Sequence, residues 1–370
     1  MKKEYYFIIT VHYKEKHMLY WAGDLHLGKN IRKSCSLTKD DCFDALKYMS
    51  KHIIENKPKD EENAVIFAGD VFEHKKVDGL VLDNFIAFID ALFVEGVSVY
   101  TIQGNHELGD KNIAVTQGAY DLNKKLIDIN GTKIYGLDYL SREELQKEVK
   151  NVPPCDVLVL HTAFSHMIGF EGVADISISD IPDQIKNVFV GDIHSNVVEK
   201  MPQGYCVSPG PLHSCNVAQN ETHGFYKWNV SMPEWVFQDI PNRKILRYRV
   251  SEWDEVDNIA KELSGLSFMK QPIVEIVYTP NVYNKVKVFR QSSIGKYIVF
   301  DKPVGANMLF DVDEEELEAF TGKVKLEDVL SAAVNPDNEP LVYTFMHNLL
   351  TSDNHSEYVD ELIRSTIEEA

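Results

Sequence analysis

The chain of 370 residues has no cysteines at CxxC spacing, no apolar run long enough to cross a membrane, no internal repeat and no low-complexity tract. Its five cysteines (Cys35, Cys42, Cys155, Cys206, Cys215) are an odd number. That argues against a disulfide framework and a zinc ribbon, and for the reducing conditions of the cytoplasm. No stretch approaches the ~18 apolar residues of a membrane helix, so no membrane association is expected. The opening MKKEYYFIIT runs at once into VHYKEKH, which leaves neither the apolar region nor the small-residue cleavage site of a signal peptide. Positive charge is scarce: 38 Lys and Arg stand against 57 Asp and Glu, for a formal net charge of −19. An acidic total speaks against nucleic-acid binding. That exclusion is weak, because a local basic face, or metal ions at a phosphate site, overrides the mean field.

The remaining composition is that of a soluble globular chain, with 44% apolar and 26% charged residues. Its length corresponds to about two to two and a half domains. Residues 1–240 read as alternating strands and helices. Strands are predicted at 18–22, 64–68, 97–102, 156–161 and 187–191. A helix is predicted over 38–56, with Thr38 and Asp41 as a capping box and Pro58 as its stop. Further helices are predicted over 80–95 and 141–150, and a hairpin over 127–137 around Asn130-Gly131. This order predicts a parallel sheet covered by helices. Phe225, Tyr226, Trp228 and Trp235 fall in strands and are read as core, as are the cysteines. After Pro241 a small α+β unit is expected, with strands at 245–250, 273–278 and 285–300 and a helix near 252–263. From residue 311 the pattern is nearly all helical. Residues 1–17 fit either an added strand or an upstream start, and the sequence leaves both open.

The chemistry lies where the apolar strands stop. MLYWAG runs into Asp24-Leu25-His26, AVIFAG into Asp70, VSVYTIQG into Asn105-His106-Glu107, DVLVL into His161, and NVFVG into Asp192-Ile193-His194. The carboxyl ends of parallel strands line one sheet edge, so residues distant in sequence reach one rim. Carboxylate, imidazole and amide donors without thiolate suit Mn²⁺, Mg²⁺ or Fe²⁺. Seven ligands (Asp24, His26, Asp70, Asn105, His161, Asp192, His194) are too many for one ion. They suit two ions sharing a carboxylate, the arrangement of two-metal phosphoester hydrolysis. Each piece alone has a plainer reading, Gly-Asp as a turn and Asn-His as a polar pair, but five together at five strand ends point to a metal centre. His12, His17, His52, His166, His213, His223, His347 and His355 lack ligand spacing and are read as surface or packed polar groups.

D-x-H, GD, GNHE, a lone His and a last motif ending in His resemble the calcineurin-like metallophosphoesterase superfamily. Asp24-Leu25-His26-Leu27-Gly28, Gly69-Asp70-Val71-Phe72 and Ser208-Pro209-Gly210-Pro211 narrow the likeness to SbcD-type DNA repair nucleases. The resemblance covers residues 18 to about 240. It implies a four-layer αββα sandwich (1–240), an α+β capping domain that contacts DNA (241–310) and a helical partner-binding segment (311–370). It implies a first metal on Asp24, His26, Asp70 and His194, and a second on Asp70, Asn105, His161 and Asp192. His106 matches the histidine that protonates the leaving oxygen without binding metal, and Glu107 is expected to orient it. Two positions depart from the pattern. Asp192 stands where a histidine is usual, as a ligand or as a polar neighbour. Glu73, with His74 next, stands where relatives often carry histidine, and either residue or neither serves as its substitute.

The resemblance further implies a DNA nuclease using two ions, Mn²⁺ first among them. The expected action is exonucleolytic on duplex ends and endonucleolytic on single strands or hairpins. A homodimer and an SbcC-type coiled-coil ATPase partner are also expected. Leu341, Phe345, Leu349 and Leu350, and then Tyr358, Leu362, Ile363 and Ile367, supply an apolar stripe for that partner or for folding back on the cap. In the α+β unit, Arg243, Lys244, Arg247 and Arg249, then Lys285, Lys287 and Arg290, are read as alternating along strands that face either phosphates or solvent. A phosphatase or phosphodiesterase acting on small molecules or phosphoproteins is the alternative.

Overall fold

The computed structural model describes residues 18–31, 35–59, 61–168, 175–215, 222–229 and 232–304. The elements in chain order are β1 (Met18–Ala22), α1 (Asp41–Asn56), β2 (Asn63–Ala68), α2 (Gly79–Val94), β3 (Val97–Ile102), α3 (Ile113–Thr116) and β4 (Tyr120–Asp121). There follow β5 (Leu126–Ile129), β6 (Thr132–Gly136), α4 (Arg142–Glu148), β7 (Cys155–His161), α5 (Ser165–Ile168), β8 (Ile185–Gly191), β9 (Val197–Lys200) and β10 (Tyr205–Ser208). The last are β11 (Gly224–Asn229), β12 (Met232–Asp239), β13 (Ile245–Val250), α6 (Trp253–Ser264), β14 (Ile273–Tyr278), α7 (Tyr283–Ser292) and β15 (Ile298–Pro303).

Two six-stranded mixed sheets result, ordered β12-β11-β1-β2-β3-β4 and β5-β6-β7-β8-β10-β9. In the first, β1 to β4 are parallel and β11 and β12 antiparallel. In the second, β6, β7, β8 and β10 are parallel, with antiparallel strands at both edges. The inner strands are buried on both faces, which is why they read as continuous apolar runs. Leu19 and Trp21 of β1, Ala64, Ile66 and Ala68 of β2, Val157 and Val159 of β7 and Phe189 of β8 share the core between the sheets. The alternate residues Tyr20, Val65 and Phe67 pack under α1 and α2. Leu158, Leu160, Val188 and Val190 pack on the far side with Leu145 of α4. Helix, sheet, sheet and helix form the four layers of the metallophosphoesterase sandwich. Trp21 is fully buried at its centre, its ring 5.2 to 5.9 Å from those of Phe189, Trp228 and Trp235. All five cysteines are buried and free. No described helix is long and apolar enough to cross a membrane.

Local signals hold where the chemistry is short-range. Asn130 (φ 55°) and Gly131 (φ 87°) make the hairpin turn between β5 and β6. Ser141 and Glu144 form the capping box of α4. Two expectations fail. Thr38 caps no α-helix: its hydroxyl donates to the Cys35 carbonyl at 3.1 Å, and α1 begins at Asp41. The Asp41 side chain is instead taken by Arg243. Residues 285–300 are not one strand: α7 ends at Ser292 and β15 begins at Ile298. Val282, Val286 and Phe289 recur at helical spacing and pack against Val256, Ile259 and Leu263 of α6. Residues 1–17 and the segment from 311, expected to be helical, lie outside the described residues.

The third sheet, β13-β14-β15, is wholly parallel, with α6 and α7 against its core. Ile245, Ile273 and Ile298 from its three strands meet Ile31 and Cys35 of the β1–α1 connection. Beside them Arg243 donates to both Asp41 oxygens, at 2.6 and 2.9 Å, and to the Gln271 carbonyl. Lys270 reaches Asp41 at 2.8 Å and Asp44 at 2.6 Å. Burial by itself would raise the Asp41 carboxyl; Arg243 and Lys270 outweigh it and hold the group below its usual value. A depressed carboxylate stabilises the fold above its ordinary range and loses that contribution as pH falls through the folded value. Asp41→Asn takes the carboxylate from Arg243 and leaves Lys270 with Asp44 alone, and is expected to cost about 1–3 kcal/mol at pH 7. Parallel urea titrations of parent and variant should show the gap closing below about pH 4, where the parent carboxylate is also lost.

Candidate metal centre

Strands of both large sheets end at one place, and their last residues turn sharply there. Among the described residues six that are not glycine have positive φ, and four belong to the centre: Asp24 (50°), His26 (41°), Asp70 (49°) and Asp192 (79°). Left-handed backbone is unfavourable for such residues and persists where the surroundings impose it. Here Asp24 N–H donates to the Gly69 carbonyl, His26 N–H to Asp70 (2.9 Å) and Leu27 N–H to Val71 (2.9 Å), so the loops after β1 and β2 run side by side. Two glycines allow the close approach. A Cβ on Gly104 would overlap the Asp70 carboxylate, and one on Gly69 would lie 2.6 Å from His161 Nδ1.

All eight sequence-predicted residues converge. Asp24, His26 and His194 form one group of candidate ligand atoms within 4.8 Å of one another; Asp24, Asp70 and His161 form another, and His26, Asp70 and His106 a third. His26 Nε2 lies 3.0 Å from His194 Nε2 and 3.7 Å from Asp70 Oδ2. His161 Nδ1 donates to the Ala68 carbonyl at 2.7 Å, which turns Nε2 toward Asn105 Oδ1 (3.0 Å), Asp70 Oδ2 (3.3 Å) and Asp192 Oδ1 (3.8 Å). Asp192 and Asn105 thus border the centre through His161, and Asp192 N–H donates to Asp24 Oδ1 at 2.8 Å. His106 N–H donates to Asp70 Oδ1 at 3.1 Å, and its ring Nε2 lies 4.0 Å from Asp70 Oδ2.

These groups fit divalent cations. Asp24 Oδ2 is fully buried and has no hydrogen-bond partner among the described residues. Burial, with the Asp70 charge adding to it, pushes the Asp24 carboxyl up to about 8, against the pull of His161. Burial also holds His26 neutral, well below the ordinary imidazole value. It opposes charge on His161 too, but Asp70 prevails and raises that imidazole to about 10, while Asp70 itself is driven below its usual value. A site that keeps protons on a carboxylate and an imidazole at pH 7 is short of positive charge that metal ions supply.

Of four neighbours, Glu107 was misread in the sequence and Lys29 unread, Glu73 was left open, and His213 is the packed polar group expected. Glu107 does not orient His106; it accepts from the backbone N–H groups of Val71 (3.2 Å), Phe72 (2.8 Å) and Gly104 (3.5 Å), tying the Asp70 loop to the Asn105 loop. His106 is held instead by the Glu73 carbonyl, to which Nδ1 donates at 3.1 Å. Glu73 is buried, its Oε2 2.7 Å from His26 Nδ1 and its Oε1 3.2 Å from Lys29 Nζ, while His74 is exposed. Nothing in the local sequence marks Lys29 as a buried lysine. His213 is buried with both ring nitrogens against carbonyls, Leu25 at 3.0 Å and Ser214 at 3.2 Å, which leaves none for a ligand.

Metal binding here displaces protons from Asp24 and His161. Mn²⁺ titration near pH 7 should therefore release protons, read by calorimetry in buffers of different ionisation enthalpy, and affinity should rise with pH toward about 10. Asp70→Asn removes the carboxylate shared by two of the groups and is expected to abolish that binding. Near-parental affinity in a folded Asp70→Asn protein would contradict the assignment.

Residues 19–200 match the calcineurin-like phosphoesterase family. The chain is 24% identical over 373 aligned residues to the DNA double-strand break repair protein Mre11 of Methanocaldococcus jannaschii, spanning 93% of this chain and 98% of that protein. It is 32% identical over 90 residues to Mre11 of Nanoarchaeum equitans, covering 24% of each chain. With Mre11 of Sulfurisphaera tokodaii it shares 22% identity over 55% of this chain and 56% of the other. Family match, layered fold and donor set agree: residues 19–200 form a calcineurin-like metallophosphoesterase domain.

Proposed function

We propose that this chain is a two-metal DNA nuclease, cleaving duplex ends exonucleolytically and single strands or hairpins endonucleolytically. The observation that carries the reading over a general phosphatase is the extent of the likeness to the Methanocaldococcus protein. It runs well beyond the phosphoesterase domain, over 93% of this chain and 98% of that one. Asp24, His26, Asp70 and His194 would hold one ion, and Asp70, Asn105, His161 and Asp192 the other. Divalent ions bound there supply Lewis acidity and make water a nucleophile at neutral pH. With Nδ1 committed to the Glu73 carbonyl, His106 carries its mobile proton on Nε2, at the edge of the centre. From there it is placed to protonate the leaving oxygen. Asp192 in place of histidine adds an anionic oxygen donor, which favours Mn²⁺ or Mg²⁺ over Zn²⁺. The residues from 335 on are proposed to dock an SbcC-type ATPase, and the working unit to be a homodimer in the cytoplasm.

Labelled duplex and hairpin DNA incubated with the protein in Mn²⁺ or Mg²⁺, beside bis-p-nitrophenyl phosphate, tests the reading. Cleavage of DNA supports it; hydrolysis of the small diester alone favours the general phosphoesterase. His106→Ala should keep its metals and slow DNA cleavage by about 10²- to 10⁴-fold.

The basic residues of the cap are fewer than the sequence implied. Arg243 pairs with Asp41, Arg247 with Glu275, Lys285 with Asp257 and Arg290 with Asp301. Lys244, Arg249 and Lys287 are exposed. If the cap meets phosphates through these three, their joint replacement by glutamine should flatten the slope of log affinity against log salt by up to about 3. An unchanged slope removes the cap from the DNA-binding surface.

A further inference from the structure

We propose that Lys29 and Glu73 form a buried charge pair that positions His26 for its metal ion. The proposal rests on the reading of His26 as a ligand. Lys29 and Glu73 are each about 5% exposed and stand 3.2 Å apart, between the loop after β1 and the loop after β2. Glu73 divides its two oxygens. Oε1 faces Lys29, and Oε2 lies 2.7 Å from His26 Nδ1. That last contact is bent away from ideal hydrogen-bond geometry, yet neither atom has another hydrogen-bond partner among the described residues. His26 is wholly buried, so its Nδ1 has no water to turn to.

An imidazole whose Nδ1 proton is directed at a carboxylate presents Nε2 as a lone pair. Here that Nε2 faces His194 Nε2 and Asp70 Oδ2. Glu73 thereby selects the tautomer of His26 and fixes its ring. The main chain of the same residue does the equivalent for His106, whose Nδ1 donates to the Glu73 carbonyl; the two rings stand edge to face, their centroids 4.8 Å apart. One residue holds both imidazoles, one through its side chain and one through its backbone.

Lys29 has a separate task. A carboxylate left alone beside a metal-bound imidazole adds a negative charge to a centre that must receive an anionic phosphodiester. The lysine, 3.2 Å from Oε1, cancels that charge. A buried pair that served only to fill space is replaceable by apolar residues of similar size at little cost. That property separates positioning from packing.

The test is the double variant Lys29→Met/Glu73→Leu, which removes both charges and leaves neither partner stranded. Thermal melting confirms its fold. Histidine ¹⁵N shifts in the metal-free protein then read the tautomer. The parent is expected to show His26 protonated on Nδ1 alone, and the variant a mixture of tautomers. Mn²⁺ affinity by calorimetry should fall about 10- to 100-fold in the variant. Glu73→Asp with Lys29 intact should recover part of that loss. A folded double variant with the parental tautomer and parental Mn²⁺ affinity overturns the proposal. The tautomer is read without metal, so it decides the pair even if the parent binds no ion, a result that would instead sink the two-metal reading.

Discussion

Everything in this molecule is arranged around a concentration of buried charge. Asp24, Asp70, Glu73 and Glu107 lie within a few residues of one another in space, none more than about 5% exposed, at the seam of two sheets. An isolated buried carboxylate is too costly to keep ionised. Each acid here has its own answer. Asp70 faces three imidazoles, and Glu73 has Lys29 and His26. Glu107 is pushed up to about 8 by burial and by Asp70, and the three backbone N–H groups it accepts from moderate that rise. Asp24 is the acid left over, with one oxygen unanswered among the described residues. A centre balanced in this way is completed by cations.

The same constraint explains the backbone. Bringing carboxylates from β1, β2 and β8 to one point demands turns tighter than an extended strand allows, hence the left-handed aspartates and the glycine before each of them. Such turns hold only if both sheets are rigid up to their last residue. The doubly buried strands provide that rigidity, with Trp21 filling the space between the sheets just behind Asp24. Packing and chemistry are one design, since the residues that seal the interior are those that aim the ligands.

Much of this was legible in the sequence because strands buried on both faces write themselves as apolar runs, and because a ligand at a strand's end is marked by the run that precedes it. Asn130-Gly131 was legible for a similar reason, its chemistry being local. What escaped depends on contacts between distant residues. Asp41 looked like part of a helix cap, but its partner Arg243 lies about 200 positions away. Lys285 and Lys287 alternate as in a strand, yet Val282, Val286 and Phe289 beneath them keep helical spacing, and burial decided between the two periods. Glu107 follows His106 directly and was assigned to it, whereas turn geometry sends the two side chains to different loops. Lys29 could not be read as buried, since lysine is usually exposed and only Glu73 justifies its place.

The acidic total, which argued against nucleic acid, loses most of its force once it is located. Residues 305–370 contain 16 acids and 3 basic residues, for a net charge of −13, leaving −6 for the 304 residues before them. Part of that −6 is the buried cluster of the centre, and two divalent ions would more than offset it. The field that a phosphodiester meets is set within about 8 Å, the screening length at physiological salt. At that range two divalent ions would outweigh a chain-wide sum. A total dominated by the last 66 residues is therefore a poor guide to the charge that a phosphodiester meets at the centre.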